Sequence, residues 1–178
     1  AYITFALPLP LGHEGLNESM DLRIEGEVSN EEIGEKLSAV LPPGFAINRV
    51  YDLADAPKTI AFALYEIELS LSEGQNADSV ALSFNELVKD SKLTALKTAK
   101  KGRKRIEKEV ELNPLIAEFE ACSKEGKVIL TATLAAGSSQ NLNPDLLIAS
   151  LQEKSGVRIE LAKIVRKDIL KEDFTPFE

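Results

Sequence analysis

The sequence predicts an α+β fold of tandem ferredoxin-like (split βαβ) units with antiparallel sheets, the first unit being incomplete. Three observations predict it. Several short segments alternate apolar and polar residues, as half-buried strands do. Other segments begin at capping residues and repeat apolar residues at helical spacing. The order of these segments is strand–strand–helix–strand in residues 1–56 and strand–helix–strands–helix–strand in residues 57–170.

Residues 1–56 predict the incomplete unit, which lacks an opening strand and helix. Its first strand is a compact apolar run that suits a buried position, and its second alternates as a half-buried strand. Its helix is marked by a capping box of Ser29 and Glu32. In chain order, the predicted strand, strand, helix and strand cover residues 2–7, 19–28, 29–41 and 45–53.

Residues 57–170 predict a ferredoxin-like unit with an inserted basic hairpin, after a boundary at the Asp- and Pro-containing residues 52–58. Asp78 or Ser79 is expected to cap the first helix, and Asn143 the second. The predicted strands cover residues 59–71, 93–99, 103–112, 115–122, 127–135 and 157–165. The polar residues from 167 onward are expected to be loose, with residues 171–178 as a tail.

Composition excludes several classes of protein. No apolar run reaches the roughly 18 residues of a transmembrane helix, so no membrane contact is expected. The single Cys122 cannot form an internal disulfide or a multi-thiolate metal centre. The sequence therefore predicts a cytoplasmic protein that holds no cofactor and no metal.

A basic stretch, Lys97 to Lys108, contains seven Lys or Arg and one Glu, in a chain whose net charge is −8. The functional interpretation is a hairpin that contacts nucleic-acid phosphates. The alternative is a solvated edge hairpin whose lysines prevent strand pairing, with Glu107 and Glu109 across the hairpin offsetting part of the charge. No aromatic residue lies between Leu87 and Leu115, so base stacking has no platform there. The candidate phosphate-binding residues are Lys97, Lys100, Lys101, Arg103, Lys104 and Arg105.

Three weaker constellations each have a structural alternative. Residues 136–141 precede the helix at Asn143, where an anion could bind, but an ordinary capped helix after a loop is favoured. His13 is expected to be an exposed loop histidine rather than a catalytic one. Glu66 and Glu68 could form a carboxylate pair, but more often such residues are the wet face of a sheet. No catalytic constellation is predicted.

Four segments carry a resemblance to a family. They are FALPLPLG (residues 5–12), SMD (19–21), KTAKKGRKRIEKEVELNPLI (97–116) and AAGSSQNLNPDLLIASL (135–151). In this order they resemble the radical-SAM-linked bacterial domain of unknown function, which is found fused to radical SAM proteins or encoded as their partner. The resemblance implies a noncatalytic accessory module that helps a radical SAM protein to recognise its substrate, with RNA as a further partner. The alternative is a protein–protein interaction module with no nucleic-acid contact.

The chain departs from the family pattern in three places. Asn113 and Asn143 stand where the family has arginine before proline, and Glu111 stands for an aspartate. The family's basic opening strand and helix, with their histidine motifs, do not precede FALPLPLG here. Asn113 and Asn143 are therefore expected to act as turn-forming neighbours of the basic hairpin.

Overall fold

The computed structural model describes residues 2–101 and 104–178; the side chains of residues 2 and 97–107 lie outside the description. The predicted α+β class with mostly antiparallel sheets is confirmed. The strands are β1 (Tyr2–Phe5), β2 (Glu14–Gly15), β3 (Met20–Arg23), β4 (Ile60–Leu71), β5 (Thr94–Lys101), β6 (Lys104–Glu111), β7 (Ile116–Lys124), β8 (Lys127–Ala135) and β9 (Ile159–Lys171). The helices are α1 (Asn30–Val40), α2 (Ala77–Asp90) and α3 (Pro144–Ser155).

The largest sheet has five strands in the order β2-β9-β4-β8-β7. Its four long strands are antiparallel to their neighbours, and the two-residue β2 is parallel to β9. Helix α2 connects β4 to β7 across the intervening β8, and α3 connects β8 to β9 across the intervening β4. The strands β5 and β6 form a separate hairpin, and β1 pairs with β3 in a second two-stranded sheet.

The core lies between the five-stranded sheet and the helices α2 and α3. Alternate residues of β4 and β8, such as Ile67 and Leu130, are fully buried and pack in one cluster with Phe84 of α2 and Leu151 of α3. The period-2 patterns of these two strands and the helical spacing of α2 predict this arrangement, and the structure confirms it. The core therefore belongs to the chain from Ile60 onward, because no residue from 3 to 59 is in the buried class.

Local signals at helix ends and turns are mostly confirmed. The Ser29 hydroxyl accepts a hydrogen bond from the Glu32 backbone N–H at 3.2 Å, as one half of the capping box predicts, whereas the Glu32 carboxylate pairs with Lys36. Helix α3 ends at Gly156, whose φ of 72° is the left-handed conformation that glycine adopts without strain. At α2 the predicted cap is wrong. Asn76 is the cap, because its side-chain oxygen accepts from the Ser79 N–H at 2.9 Å.

Two predictions for the N-terminal region are wrong. The strand β1 forms, but it is not buried, because Ile3 and Phe5 are more than half exposed. Residues 45–53 do not form a strand, since no neighbouring strand pairs with them. They run beside the loop after β2 instead, where the Asn48 side-chain amide donates to the Leu16 carbonyl oxygen at 3.2 Å.

The end of the chain differs from the expected loose tail. Strand β9 continues to Lys171, and Phe177 is buried with its N–H bonded to the Ile169 carbonyl oxygen at 2.9 Å. The carboxylate of Asp55 pairs with Lys171 at 3.0 Å and accepts from the Glu178 N–H. The chain end is therefore held against the sheet and the predicted boundary segment. The division at residue 56 itself stays a prediction.

Within the described part of the chain, no helix is both long and apolar enough to cross a membrane.

Candidate functional site

The basic hairpin of β5 and β6 pairs with itself and with neither of the other sheets. Its base is fixed in the core. Leu93 and Leu112, which flank the two strands, are fully buried, and the Leu112 N–H donates to the Leu93 carbonyl oxygen at 2.9 Å. Outside the hairpin, β5 contacts α3. The hairpin thus has a buried base and, in its described residues, two strands that belong to neither of the other sheets.

Asn113 ties this base to the end of α2. Its side-chain oxygen accepts from the Leu93 N–H at 2.8 Å, and its side-chain nitrogen donates to the carbonyl oxygens of Val88 at 2.9 Å and Ser91 at 3.1 Å. A single amide therefore satisfies three backbone groups from two elements. The sequence predicts only a turn-forming neighbour at this position, and these bonds give Asn113 a positioning role for the hairpin.

The predicted phosphate-binding residues lie on both strands of the hairpin. In the backbone register, Lys97 is opposite Lys108, Lys100 is opposite Arg105 and Lys101 is opposite Lys104. Arg103, the remaining predicted residue, lies outside the described residues. Like charges at directly opposite positions destabilise a strand pair. The hairpin therefore brings the basic residues together as three like-charged pairs.

Two acidic residues of the hairpin are opposite uncharged residues in the backbone register. Glu107 is opposite Thr98, and Glu109 is opposite Leu96. Neither acid lies directly across from a basic residue. Composition alone could not reveal this, because the offset depends on the register and not on the number of charges.

A buried arginine that the sequence patterns do not predict joins the N-terminal segment to the large sheet. Arg166 of β9 is 2% exposed; its Nε donates to Glu18 Oε1 at 2.8 Å and its Nη2 to the Leu7 carbonyl oxygen at 2.7 Å. Nη2 also bonds the second oxygen of Glu18. Burial disfavours the charged guanidinium, but the bonds to Glu18 outweigh it and raise the pKa of Arg166. The alternation of β9, in which Ile164 points to the core, could have placed Arg166 on the same side.

His13 is not the exposed loop histidine that the sequence predicts. Its side chain is 4% exposed, and its Nε2 lies 3.3 Å from Oδ2 of Asp145 in the first turn of α3. Its Nδ1 is buried without a hydrogen-bond partner among the described residues. The reason is that the segment after FALPLPLG crosses the start of α3, which no local signal indicates.

Backbone N–H groups at the start of α3 are already hydrogen-bonded to Asn143. The Asn143 side-chain oxygen accepts from the Asp145 N–H at 3.1 Å, the Leu146 N–H bonds the Asn143 carbonyl oxygen, and Pro144 has no N–H to offer. In the preceding loop, a Cβ on Gly137 would come within 2.8 Å of the Ile60 carbonyl oxygen. Glycine is required there by close backbone approach. These features fit the ordinary capped helix rather than an anion site.

The face of the large sheet away from the helices carries cross-strand ion pairs. Glu68 pairs with Lys127 at 2.6 Å, and Glu66 lies 3.8 Å from Lys167. The hydrogen bond from Lys127 holds the pKa of Glu68 below its ordinary value. A general acid requires a shift in the opposite direction. The geometry is therefore that of a charged, solvated face, as the favoured interpretation expects.

Comparisons with curated proteins and with solved structures return no match. A family profile described as "Uncharacterized protein conserved in bacteria (DUF2344)" matches residues 1–144, which is most of the chain. The match spans β1 to the start of α3 and so includes the basic hairpin and the segment that contacts Arg166. The chain therefore belongs to this uncharacterized bacterial family.

Proposed function

We propose that this chain is a noncatalytic accessory module that works with a radical SAM protein and contacts RNA phosphates through the hairpin of β5 and β6. The observation that carries the RNA contact is a hairpin outside both other sheets that holds seven of the chain's 21 basic residues. The resemblance of FALPLPLG and the three later segments to the radical-SAM-linked domain supports the choice of partner protein.

The register of the hairpin supports a polyanionic ligand. In three register pairs both residues are basic, and phosphates placed beside such pairs would offset the repulsion expected between like charges. Eight residues per strand give a ribbon about 27 Å long. That length spans several nucleotides of a backbone. Because no aromatic residue lies in the hairpin, we expect contact with phosphates rather than stacking on bases.

We further infer that residues 57–170 form a ferredoxin-like unit. The strand order β9-β4-β8-β7, the antiparallel pairing and the two helical crossovers that each pass over one strand support it. The basic hairpin is then an insertion between α2 and β7. In residues 1–56, β1, β3 and α1 correspond to the predicted strand, strand and helix. The strand predicted in residues 45–53 does not form.

Binding to a mixture of bulk tRNA and rRNA at several salt concentrations tests the proposal. The test variant changes five hairpin residues: Lys100→Ser, Lys101→Ser, Arg103→Ser, Lys104→Ser and Arg105→Ser. A matched variant removes five exposed basic residues elsewhere, with the same change in net charge: Lys36→Ser, Lys89→Ser, Lys124→Ser, Lys154→Ser and Arg158→Ser.

We expect the affinity of the unmodified chain to fall steeply with salt, with a logarithmic slope of about 0.7 per phosphate contacted on a single strand. The hairpin variant should lose both the affinity and most of the slope, whereas the matched variant should retain them. Equal losses in the two variants would mean that RNA binding depends on the net charge of the chain and not on the hairpin. No binding by the folded, unmodified chain would exclude RNA recognition by this chain alone.

A second candidate function is a protein–protein interaction module without nucleic-acid contact. A specific observation favours it: of the fourteen large apolar residues that are exposed in the described part of the chain, ten lie between Ile3 and Leu53. Docking through such residues should change little with salt, in contrast to phosphate binding.

A further inference from the structure

One face of the β1–β3 ribbon is apolar and uncovered. In its register Ile3 is opposite Leu22 and Phe5 is opposite Met20, and residues two apart on a strand share a face. These four residues, the apolar ribbon face, therefore lie together. Ile3 and Phe5 are 54% and 60% exposed, and Met20 and Leu22 are half-buried. The polar residues Thr4 and Asp21 form a register pair on the opposite face.

The ribbon carries this apolar face without the support that a strand pair normally needs. The main contacts of β1 and β3 are with each other. An isolated two-stranded sheet is at best marginally stable in water, and a sheet normally buries its apolar face against a second layer. The described residues place no such layer over Ile3 and Phe5. An apolar face on an element of this kind is typical of a surface that another molecule covers.

The charge of the surrounding segment selects the kind of molecule. Residues 1–56 contain ten Asp or Glu and three Lys or Arg, a net charge of −7. Asp21 lies on β3 itself, which ends at Arg23, and the exposed Glu25 and Glu27 lie just after the strand. Two copies of so acidic a region would repel each other, whereas a basic partner would be attracted. Charge complementarity therefore favours a partner other than a second copy.

We propose that the apolar ribbon face docks onto a partner protein whose surface is apolar at its centre and rich in Lys and Arg at its rim. This docking rests on the accessory role under "Proposed function", and it is independent of the hairpin. Burial of Ile3 and Phe5 would supply the affinity, and the acidic residues after β3 would supply the orientation and the rate of association.

Two helical peptides of equal length serve as probes: one made of Leu and Lys, and one in which Glu replaces every Lys. Each is titrated against the full chain and against a variant with Ile3→Thr and Phe5→Thr. The matched control is Leu82→Gln with Leu161→Thr, which removes two leucines that are 66% and 64% exposed outside this face.

We expect the Leu/Lys peptide to bind the full chain and the control alike, and to bind the ribbon variant roughly tenfold more weakly. The Leu/Glu peptide should not bind. Equal affinity of the Leu/Lys peptide for both variants would overturn the proposal, because charge alone would then explain binding. So would equal binding of the two peptides. Dimerisation of the full chain that is lost in the ribbon variant, measured by sedimentation, would assign the face to a second copy instead.

If the ribbon variant loses the fold of β1 and β3, the unmodified chain still tests the proposal. Hydrogen exchange should show protection of residues 3–5 and 20–22 when the Leu/Lys peptide is added, and unchanged exchange there would overturn it. The hairpin variant should keep its affinity for the peptide, and the ribbon variant should keep its affinity for RNA. Failure of RNA binding and failure of docking are thus separate results.

Discussion

The regions before and after residue 60 have similar apolar patterns, but the two regions differ in how far these patterns are buried. Residues 60–178 place alternate apolar residues of β4 and β8 against α2 and α3, and their apolar faces are buried. Residues 3–59 also form strands and a capped helix, yet they add no fully buried apolar residue to the core, against which Leu7 is only partly buried. Apolar alternation therefore predicts a strand, but burial requires a second layer, which only the later region has within the described chain.

The largest expected difference between the regions is the cost of truncating an apolar side chain. Leu130→Ala should lower the free energy of unfolding by about 3 kcal/mol, because it leaves a cavity in a fully buried cluster. Phe5→Ala should lower it by no more than about 0.5 kcal/mol, since Phe5 is mostly exposed. Urea unfolding measures both values. A loss of similar size for Phe5→Ala would show that the N-terminal ribbon is packed in solution.

The next-largest effect concerns the contact of Arg166 with Glu18, which joins the two regions. Arg166→Leu should lower the free energy of unfolding by about 2 kcal/mol, because it leaves the Glu18 carboxylate and the Leu7 carbonyl oxygen without their buried donor. This value is below that of a fully buried pair, as the Glu18 side chain is partly exposed. A double-mutant cycle with Glu18→Gln should show strong coupling. Additive losses would mean that the two regions are held together by other contacts.

The sequence predicts the region after residue 60 better than the region before it. The patterns of Val128 to Leu134 and of Asn143-Pro144-Asp145 were sufficient, because each is a local signal whose partner layer lies in the same region. The strand in residues 45–53 was wrong because propensity does not reveal whether a strand edge is available. Contacts between distant segments, such as His13 with Asp145, left no local signal.

The sequence predicts the candidate site only in part. Charge clustering identified the hairpin, and the strands around it form as expected. The role of Asn113 was not visible, because the three backbone groups that it bonds come from another helix end and from the hairpin base. The position of Glu107 and Glu109 also required the register, in which neither faces a basic residue.

Asn113→Ala tests the hairpin base. It should lower the free energy of unfolding by about 1.5 kcal/mol, because partly buried backbone groups of Val88 in α2 and of Leu93 just before β5 lose their partner. Hydrogen exchange should quicken at Leu93 and along β5 more than in β4. RNA affinity should fall while its salt slope stays the same, because the basic residues remain. As a control, Lys108→Ser should lower the slope without lowering the stability, because it removes one of the like-charged register pairs. Unchanged exchange in β5 after Asn113→Ala would contradict the positioning role.

The smallest effect concerns the charged face of the large sheet and appears only in acid. The bond from Lys127 lowers the pKa of Glu68 in the folded state from a reference value of 4.5. A lowered carboxyl pKa contributes stability that is present above the unfolded value and is lost as pH falls through the folded one. Glu68→Gln should therefore make unfolding less sensitive to pH below about 4.5, with little change at neutral pH. The control is Glu73→Gln, because Glu73 lies in an exposed loop and has no ion pair within the described ranges. If both variants give the same acid limb, the Glu68–Lys127 pair is open in solution, and this face then offers two unpaired charges to a partner.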